Sequence, residues 1–183
     1  NDAIVGGLSQ YWTVSIFDEV TSTQIELKKS NPKPWDLFAA EFQSLGKGRL
    51  DRKFESPKYT GLLFSFYLEP KRKRDEWGFV SLLAGYAVTN SINNYSTKWP
   101  NDVLANGIKV AGLLSEIHGD GIILGIGINV STRKDELPTK TASSIYLESE
   151  IVLSRNQLLT ECCNQFRAVF SEWDSGADLI GLY

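Results

Sequence analysis

The chain has 183 residues, of which 42% are hydrophobic, 11% aromatic and 22% charged, a composition typical of an ordinary folded domain. No apolar run reaches the roughly 20 residues that a membrane span needs, and the first ten residues lack the pattern of a secretory signal. The net charge of -3 gives no general attraction to nucleic acid, and two adjacent cysteines with one histidine exclude a disulfide framework and a zinc site of usual spacing. A cytoplasmic protein is expected.

The first half of the chain is predicted to alternate strands, a helix and one long loop. A β-branched and aromatic run predicts a strand over 14–20, and the hydroxyl residues after it predict a helix over 24–29. Beyond a proline-rich break, a short strand is expected over 37–43 and a stronger one over 61–68. Residues 44–59 carry glycines and several lysine and arginine residues without hydrophobic periodicity, which predicts a long functional loop.

The second half is predicted to be a meander of strands between two helices. Apolar residues at three- and four-residue steps predict helices over 77–92 and 154–173. An Asn-Gly pair joins strands over 103–105 and 108–117, and a Gly-Asp-Gly turn leads into a strand over 122–130. Because consecutive strands join through hairpins, the predicted fold class is α+β, with a mixed, mainly antiparallel central sheet flanked by helices.

Three short motifs could carry chemistry, and each also has a purely structural explanation. The segment Gly46-Lys47-Gly48-Arg49 suits an anion clamp, because glycine lets the backbone approach a ligand and cations bind phosphate or carboxylate oxygens, but a solvated loop would look the same. The motif KWPND, residues 98–102, is either a tight turn or a site where Lys98 neutralises an anionic ligand. Glycines in the strand motif GIGIN, residues 125–129, mark close approach of a ligand or of another backbone.

The three motifs in this order are more specific than any one of them. Together with Ser22-Thr23-Gln24 they resemble biotin protein ligases over roughly residues 14–175. The resemblance is carried by the segments 40–57, 98–102, 109–116 and 125–130. Its most specific part is the KWPND motif with the lysine and glutamate that follow it.

The resemblance implies a two-step reaction. Biotin and ATP give biotinyl-5′-adenylate and pyrophosphate, with Mg²⁺ as activator, and biotin then passes to one lysine of a biotin carboxyl carrier domain. The adenylate is a good leaving group, so the chain needs no Ser-His-Asp or Cys-His arrangement, and the sequence offers none. The resemblance also implies the catalytic-domain fold shared by biotin ligases and class II aminoacyl-tRNA synthetases, with no permanently bound cofactor.

The resemblance further implies roles for individual residues. Lys98 and Arg49 are the expected catalytic residues, with Lys98 offsetting the repulsion between the biotin carboxylate and the ATP α-phosphate. The residues expected to bind biotin, including an apolar slot for its bicycle and chain, are Ser22, Thr23, Gln24, Gln43, Gly46, Lys47, Gly48, Val103, Gly112, Gly125 and Ile128. Those expected to bind the nucleotide are Arg49, Arg52, Phe54, Asn101 and Asn129, and no metal ligand is assigned.

Departures from the family pattern leave two alternatives open. Lys47 and Leu50 stand where the family loop usually has arginine, and Phe54 stands where tryptophan is common. The alternatives are a ligase or transferase for lipoate or octanoate, and a degenerate, non-catalytic biotin-binding relative.

The resemblance also sets expectations for domain organisation and partners. We expect a single catalytic domain over residues 1–183, without the small C-terminal β-barrel domain of the family. With no DNA-binding helix-turn-helix before Val14, a repressor role is not expected. Neither nucleic acid nor a membrane is an expected partner, while the edge strands of the sheet would allow a homodimer.

Overall fold

A computed structural model of the chain describes residues 7–8, 10–50, 52–92, 95–179 and 181. Within these residues, the strands are β1 Thr13–Phe17, β2 Asp36–Ala40, β3 Gly61–Leu68, β4 Tyr95–Lys98, β5 Asp102–Ala105, β6 Ile108–His118 and β7 Gly121–Asn129. The helices are α1 Thr23–Lys29, α2 Val80–Ser91, α3 Ile145–Ser149 and α4 Arg155–Asp174, with a 3-10 helix Arg74–Phe79 before α2.

The strands form one seven-stranded sheet in the order β1-β2-β3-β7-β6-β5-β4. β1 and β2 are parallel and are joined through α1, which supplies the crossover that parallel neighbours need, and every other neighbouring pair is antiparallel. The predicted α+β class with a mainly antiparallel sheet is confirmed.

The main core lies on the sheet face that α2 and α4 cover. On α4 the predicted apolar stripe is buried, and the ring of Phe166 lies 4.9 Å from that of Phe66 on β3. On β7 the even-numbered residues Ile122–Ile128 join this core, whereas Ile123 packs with Leu27 of α1 in a small cluster on the opposite face. The two faces therefore differ: one is filled by long helices, and the other carries the short helix α1. No helix in the described ranges has both the length and the apolar character needed to cross a bilayer.

The structure differs from the sequence prediction mainly at the ends of elements. β1 stops at Phe17 instead of residue 20, and the predicted helix over 77–92 begins as the 3-10 helix before α2. Two short elements were not predicted. β4 is an edge strand whose residues alternate between half-buried and exposed, and α3 has only five residues, capped by the Ser144 hydroxyl, which accepts from the Leu147 N–H.

The two cysteines lie on the buried side of α4, and we expect neither to react in the folded protein. Burial raises the pKa of Cys162 to about 12 and that of Cys163 well above its usual value. Because the thiolate is the reactive form, a disulfide reagent at about pH 8 should modify neither thiol in the native protein and both in concentrated urea. Rapid modification of either cysteine without denaturant would contradict this packing of α4.

Candidate functional site

A cavity of about 360 Å³ opens on the sheet face that carries α1. Its floor includes Gly112 of β6 with Gly125 and Gly127 of β7. Its walls are the start of α1, the turn between β4 and β5, and the glycine- and lysine/arginine-containing loop over 44–59, called the basic loop below. Most residues implied by the resemblance line it: Ser22, Thr23, Gln24, Gln43, Lys47, Gly48, Arg49, Arg52, Phe54, Lys98, Asn101, Gly112 and Gly125.

Four of the expected site residues lie outside the cavity lining. Val103 and Ile128 are fully buried in the core under α2 and α4 and do not line this cavity, so their place in a biotin slot stays a prediction. The reason for their burial is the alternation of side chains along a strand: Asp102 and Gly127 face the cavity, and their neighbours in sequence face the helices. Gly46 lines a second cavity, on the outer side of the basic loop.

Asn129 is the fourth of these residues. It lies at the end of β7, where its Nδ2 donates to the Ser143 carbonyl over 3.0 Å. Its Oδ1 is buried and has no partner among the described residues. Contact with phosphate or metal stays a prediction for this side chain.

Several residues line the cavity without having been assigned to the site. The most informative are Ser65, Asp102, Lys109 and Gly127. Asp102, Lys109 and Gly127 belong to the motifs that carry the resemblance, so the sequence contained a signal for them. Ser65 lies in a continuous apolar strand, and a lone hydroxyl there was the only available sign.

One end of the cavity is neutral and rich in hydrogen-bonding groups. The Gln43 Oε1 accepts from the Thr23 N–H over 2.7 Å and from the Thr23 hydroxyl over 3.0 Å. That hydroxyl lies 2.6 Å from the Ser65 hydroxyl, which must donate because the Thr23 proton is already committed. The Gln43 carbonyl is thus doubly occupied, and its Nε2 donates no hydrogen bond within the described residues.

Gln24 lies at the same end of the cavity and offers a hydrogen-bond acceptor, whereas Gln43 offers a donor. Its side chain lies over Gly125, where a Cβ would come within 2.7 Å of Gln24 Oε1. Its Nε2 donates to the Leu114 carbonyl and to the Glu116 carboxylate, each over 3.1 Å. The amide nitrogen is therefore used, and Oε1 remains as an acceptor at the cavity.

The other end of the cavity is charged. Lys109 Nζ pairs with Asp102 Oδ1 over 2.6 Å and lies over the floor, since a Cβ on Gly112 would be 3.2 Å from it. Lys98 also lines the cavity but is exposed, with no ion-pair partner in the part of the chain that the structure describes. The turn that follows Lys98 is fixed by Asn101, whose Nδ2 donates to the Leu113 carbonyl over 2.9 Å.

The basic loop forms a small irregular hairpin over the cavity. The Phe54 N–H donates to the Gly46 carbonyl over 2.9 Å, and the Gly48 N–H donates to the Arg52 carbonyl over 2.7 Å. The Phe54 ring lies over the floor, because a Cβ on Gly127 would be 2.7 Å from it. The expected long loop is confirmed, and it is more ordered internally than its composition indicated.

The far end of this loop is anchored to the sheet. Lys58 Nζ pairs with Asp18 Oδ2 over 2.6 Å, and the Tyr59 hydroxyl donates to Asp18 Oδ1 over 3.0 Å. These hydrogen bonds, that of Lys58 first, lower the pKa of Asp18. Asp18 follows β1 directly, so the loop returns to the sheet beside the strand from which α1 departs.

Residues 14–132 match the model of the Biotin/lipoate A/B protein ligase family. The chain belongs to this family. The biotin–(acetyl-CoA-carboxylase) ligase of Mycobacterium tuberculosis is 27% identical over 185 residues, covering 94% of this chain and 69% of that protein. The bifunctional ligase/repressor BirA of Bacillus spizizenii is 34% identical over 134 residues, covering 66% of this chain. The matched part of this chain spans only 41% of the BirA length.

Solved structures of the family share the fold. The biotin protein ligase from Aquifex aeolicus in complex with biotin and ATP aligns with a TM-score of 0.82 and 32% identity, covering 90% of this chain and 73% of that chain. The biotin protein ligase from Leishmania major in complex with biotinyl-5-AMP aligns with a TM-score of 0.76, over 88% of this chain and 76% of that chain. At 24% identity, the second likeness concerns the fold alone.

The two paired segments of the basic loop, residues 46–48 and 52–54, approach each other so closely that position 46 requires glycine. A Cβ there would lie 2.2 Å from the Phe54 carbonyl oxygen, which is backbone and cannot move without breaking the hairpin. We expect Gly46→Ala to speed trypsin cleavage after Lys47, Arg49, Arg52 and Lys53 several-fold. The matched control is Gly78→Ala, where a Cβ meets nothing within 4 Å. Equal cleavage rates for Gly46→Ala and the parent would show that position 46 does not lie against the Phe54 carbonyl.

Proposed function

We propose that the protein joins biotin to ATP, forming biotinyl-5′-adenylate and pyrophosphate, and then transfers biotin to a lysine of a biotin carboxyl carrier domain. The observation that carries this proposal is the polarity of the cavity. A neutral hydrogen-bonding end and a cationic end face each other across a floor of glycines. Biotin matches this arrangement, with an uncharged urea at one end and an anionic carboxylate at the other.

The neutral end favours biotin over lipoate or octanoate. Gln43 Nε2 is a free donor and Gln24 Oε1 a free acceptor among the described residues, and a urea offers both a carbonyl and an N–H. The distal ends of lipoyl and octanoyl chains offer neither group. A site with committed polar groups discriminates strongly against a ligand that leaves them unpaired.

In the first reaction the biotin carboxylate oxygen attacks the α-phosphorus of ATP. A C–O–P anhydride linkage forms, the bond between the α- and β-phosphates breaks, and pyrophosphate leaves with the bonding electrons. Two anions must approach each other, so a cation at the point of contact lowers the barrier. In the second reaction the carrier amine attacks the acyl carbon, AMP leaves, and the amine loses a proton to solvent.

Two lysines could supply that cation, and their positions favour Lys109. Its ammonium lies over the floor next to Gly112 and is held by Asp102 on the adjacent strand. Lys98, the last residue of β4, is exposed and lines the cavity beside the turn that follows it. We therefore assign Lys109 to the contact between carboxylate and α-phosphate and Lys98 to a weaker interaction with the outer phosphates.

The basic loop would cover the bound ligands. Lys47, Gly48 and Arg49 line the cavity on this side, and Arg52 lies in the same hairpin with phosphate groups as its proposed partners. Phe54 would stack on the adenine or the ligand chain. Mg²⁺ would enter with ATP, because this ion is usually held by one or two protein oxygens together with the phosphates of the substrate. The Asn129 Oδ1 is an oxygen of the type that Mg²⁺ accepts.

The assignment of the two lysines is tested by single substitutions. We expect Lys109→Ala to lower the rate of biotin-dependent pyrophosphate release by about a hundredfold or more, because a preorganised cation at the reacting atoms is lost. Lys98→Ala should lower it by about tenfold or less, because an exposed charge is screened by solvent. The matched control is Lys33→Ala, which removes an exposed lysine outside the cavity lining and should keep the parental rate.

The assay should combine ATP, Mg²⁺ and either biotin or lipoate, with mass spectrometry of an isolated carrier domain. Release and transfer with biotin alone support the proposed function. A parent that responds to lipoate instead, or to neither acid, would overturn it. A larger defect in Lys98→Ala than in Lys109→Ala would reverse the assignment of the lysines without affecting the function.

A further inference from the structure

Glu116 lies outside the main cavity and is connected to it through one side chain. It is on β6, on the same face as Gly112 and Leu114, and it lines the second cavity, on the outer side of the basic loop. Each oxygen of its carboxylate has one partner: Oε1 pairs with Lys28 Nζ over 3.0 Å, and Oε2 accepts from Gln24 Nε2 over 3.1 Å. Gln24 and Lys28 are one turn apart on α1, so the helix holds the carboxylate from two positions.

These contacts decide which way the Gln24 amide faces. Its nitrogen has two protons, and the two acceptors that it meets, the Leu114 carbonyl and the Glu116 carboxylate, account for both. If the amide rotated by half a turn, its oxygen would face two acceptors, one of them charged. Gln24 is also 97% buried, and its Oε1 lies over Gly125 on the cavity floor.

We propose that Glu116 is a positioning residue that fixes the Gln24 carbonyl toward the cavity and so selects a ligand with an N–H group at this end. This inference rests on the proposed function. Without the carboxylate, the Leu114 carbonyl alone would hold one of the two amide protons. The amide could then turn its nitrogen toward the ligand, where it would oppose the N–H of a urea. The loss would concern the urea end of the ligand and not ATP.

The proposal is tested by measuring biotin affinity in a double-mutant cycle. Glu116→Met keeps the side-chain volume and removes the acceptor, and it should weaken biotin binding about tenfold while the KM for ATP changes less than about twofold. Gln24→Met should weaken biotin binding at least as much. In the Gln24→Met background, adding Glu116→Met should cost less than about twofold more, because Glu116 acts through Gln24.

Two further variants separate positioning from other roles of Glu116. Glu116→Gln retains an acceptor for Gln24 without the charge and should restore biotin affinity to within about threefold of the parent. Lys28→Met removes the other partner of the carboxylate, leaves the Gln24 contact intact, and should stay within about twofold. Thermal unfolding of each variant checks the fold, and Glu116→Gln tests the proposal even if Glu116→Met does not fold.

The outcomes distinguish this inference from the proposed function. A parent that does not bind biotin would overturn both. A parent that binds biotin, with Glu116→Met unchanged or with additive losses in the double mutant, would overturn the positioning role alone. A loss in Glu116→Gln as large as that in Glu116→Met would show that the charge acts directly, which also overturns it.

Discussion

The pairing of β3 with β7 is the constraint on which both the core and the site depend. The strands pair in one continuous register from Gly61 with Asn129 to Leu68 with Ile122, and both are buried along their whole length. Along β7, the even-numbered residues from Ile122 to Ile128 point to the helices, and the glycines Gly125 and Gly127 point to the cavity. One strand thus closes the core and leaves room for a ligand.

This arrangement makes the register of β7 a condition for the cavity. A slip by one residue would move every side chain to the opposite face, placing isoleucines in the cavity and glycines under the helices. Burying those isoleucines against α2 and α4 therefore stabilises the fold and keeps the floor open at the same time. The hydrophobic effect on one face fixes the geometry of a polar site on the other.

The sequence predicted elements well where local signals were strong. The strand over 61–68 has the bounds of β3, and the hairpin around Asn106 and Gly107 lies where the turn chemistry placed it. Which face of a strand meets the ligand was harder to predict. Val103 and Ile128 were placed in the site by the resemblance alone, and only the paired strands show that their side chains lie in the core under the helices.

The two lysines show a similar limit. Lys98 and Lys109 both belong to the motifs that carry the resemblance, but only the pairing of the strands shows that Lys109 meets Asp102 at the cavity. A shift of register between Val103 and Leu104 aligns Leu104 with Lys109 and Asp102 with Gly112. The ion pair between Asp102 and Lys109 depends on that pairing, and sequence distance does not reveal it.

The anchoring of the basic loop bears on the entropy of ligand capture. A free segment over 44–59 would lose much conformational freedom on closing over a ligand. Here the Gly46 and Phe54 backbone contact fixes the base of the hairpin, and Asp18 holds the returning chain through Lys58 and Tyr59. Because these contacts already restrict the loop in the free protein, it loses less conformational entropy when a ligand binds. More of the energy of each contact from Arg49 can then appear as affinity.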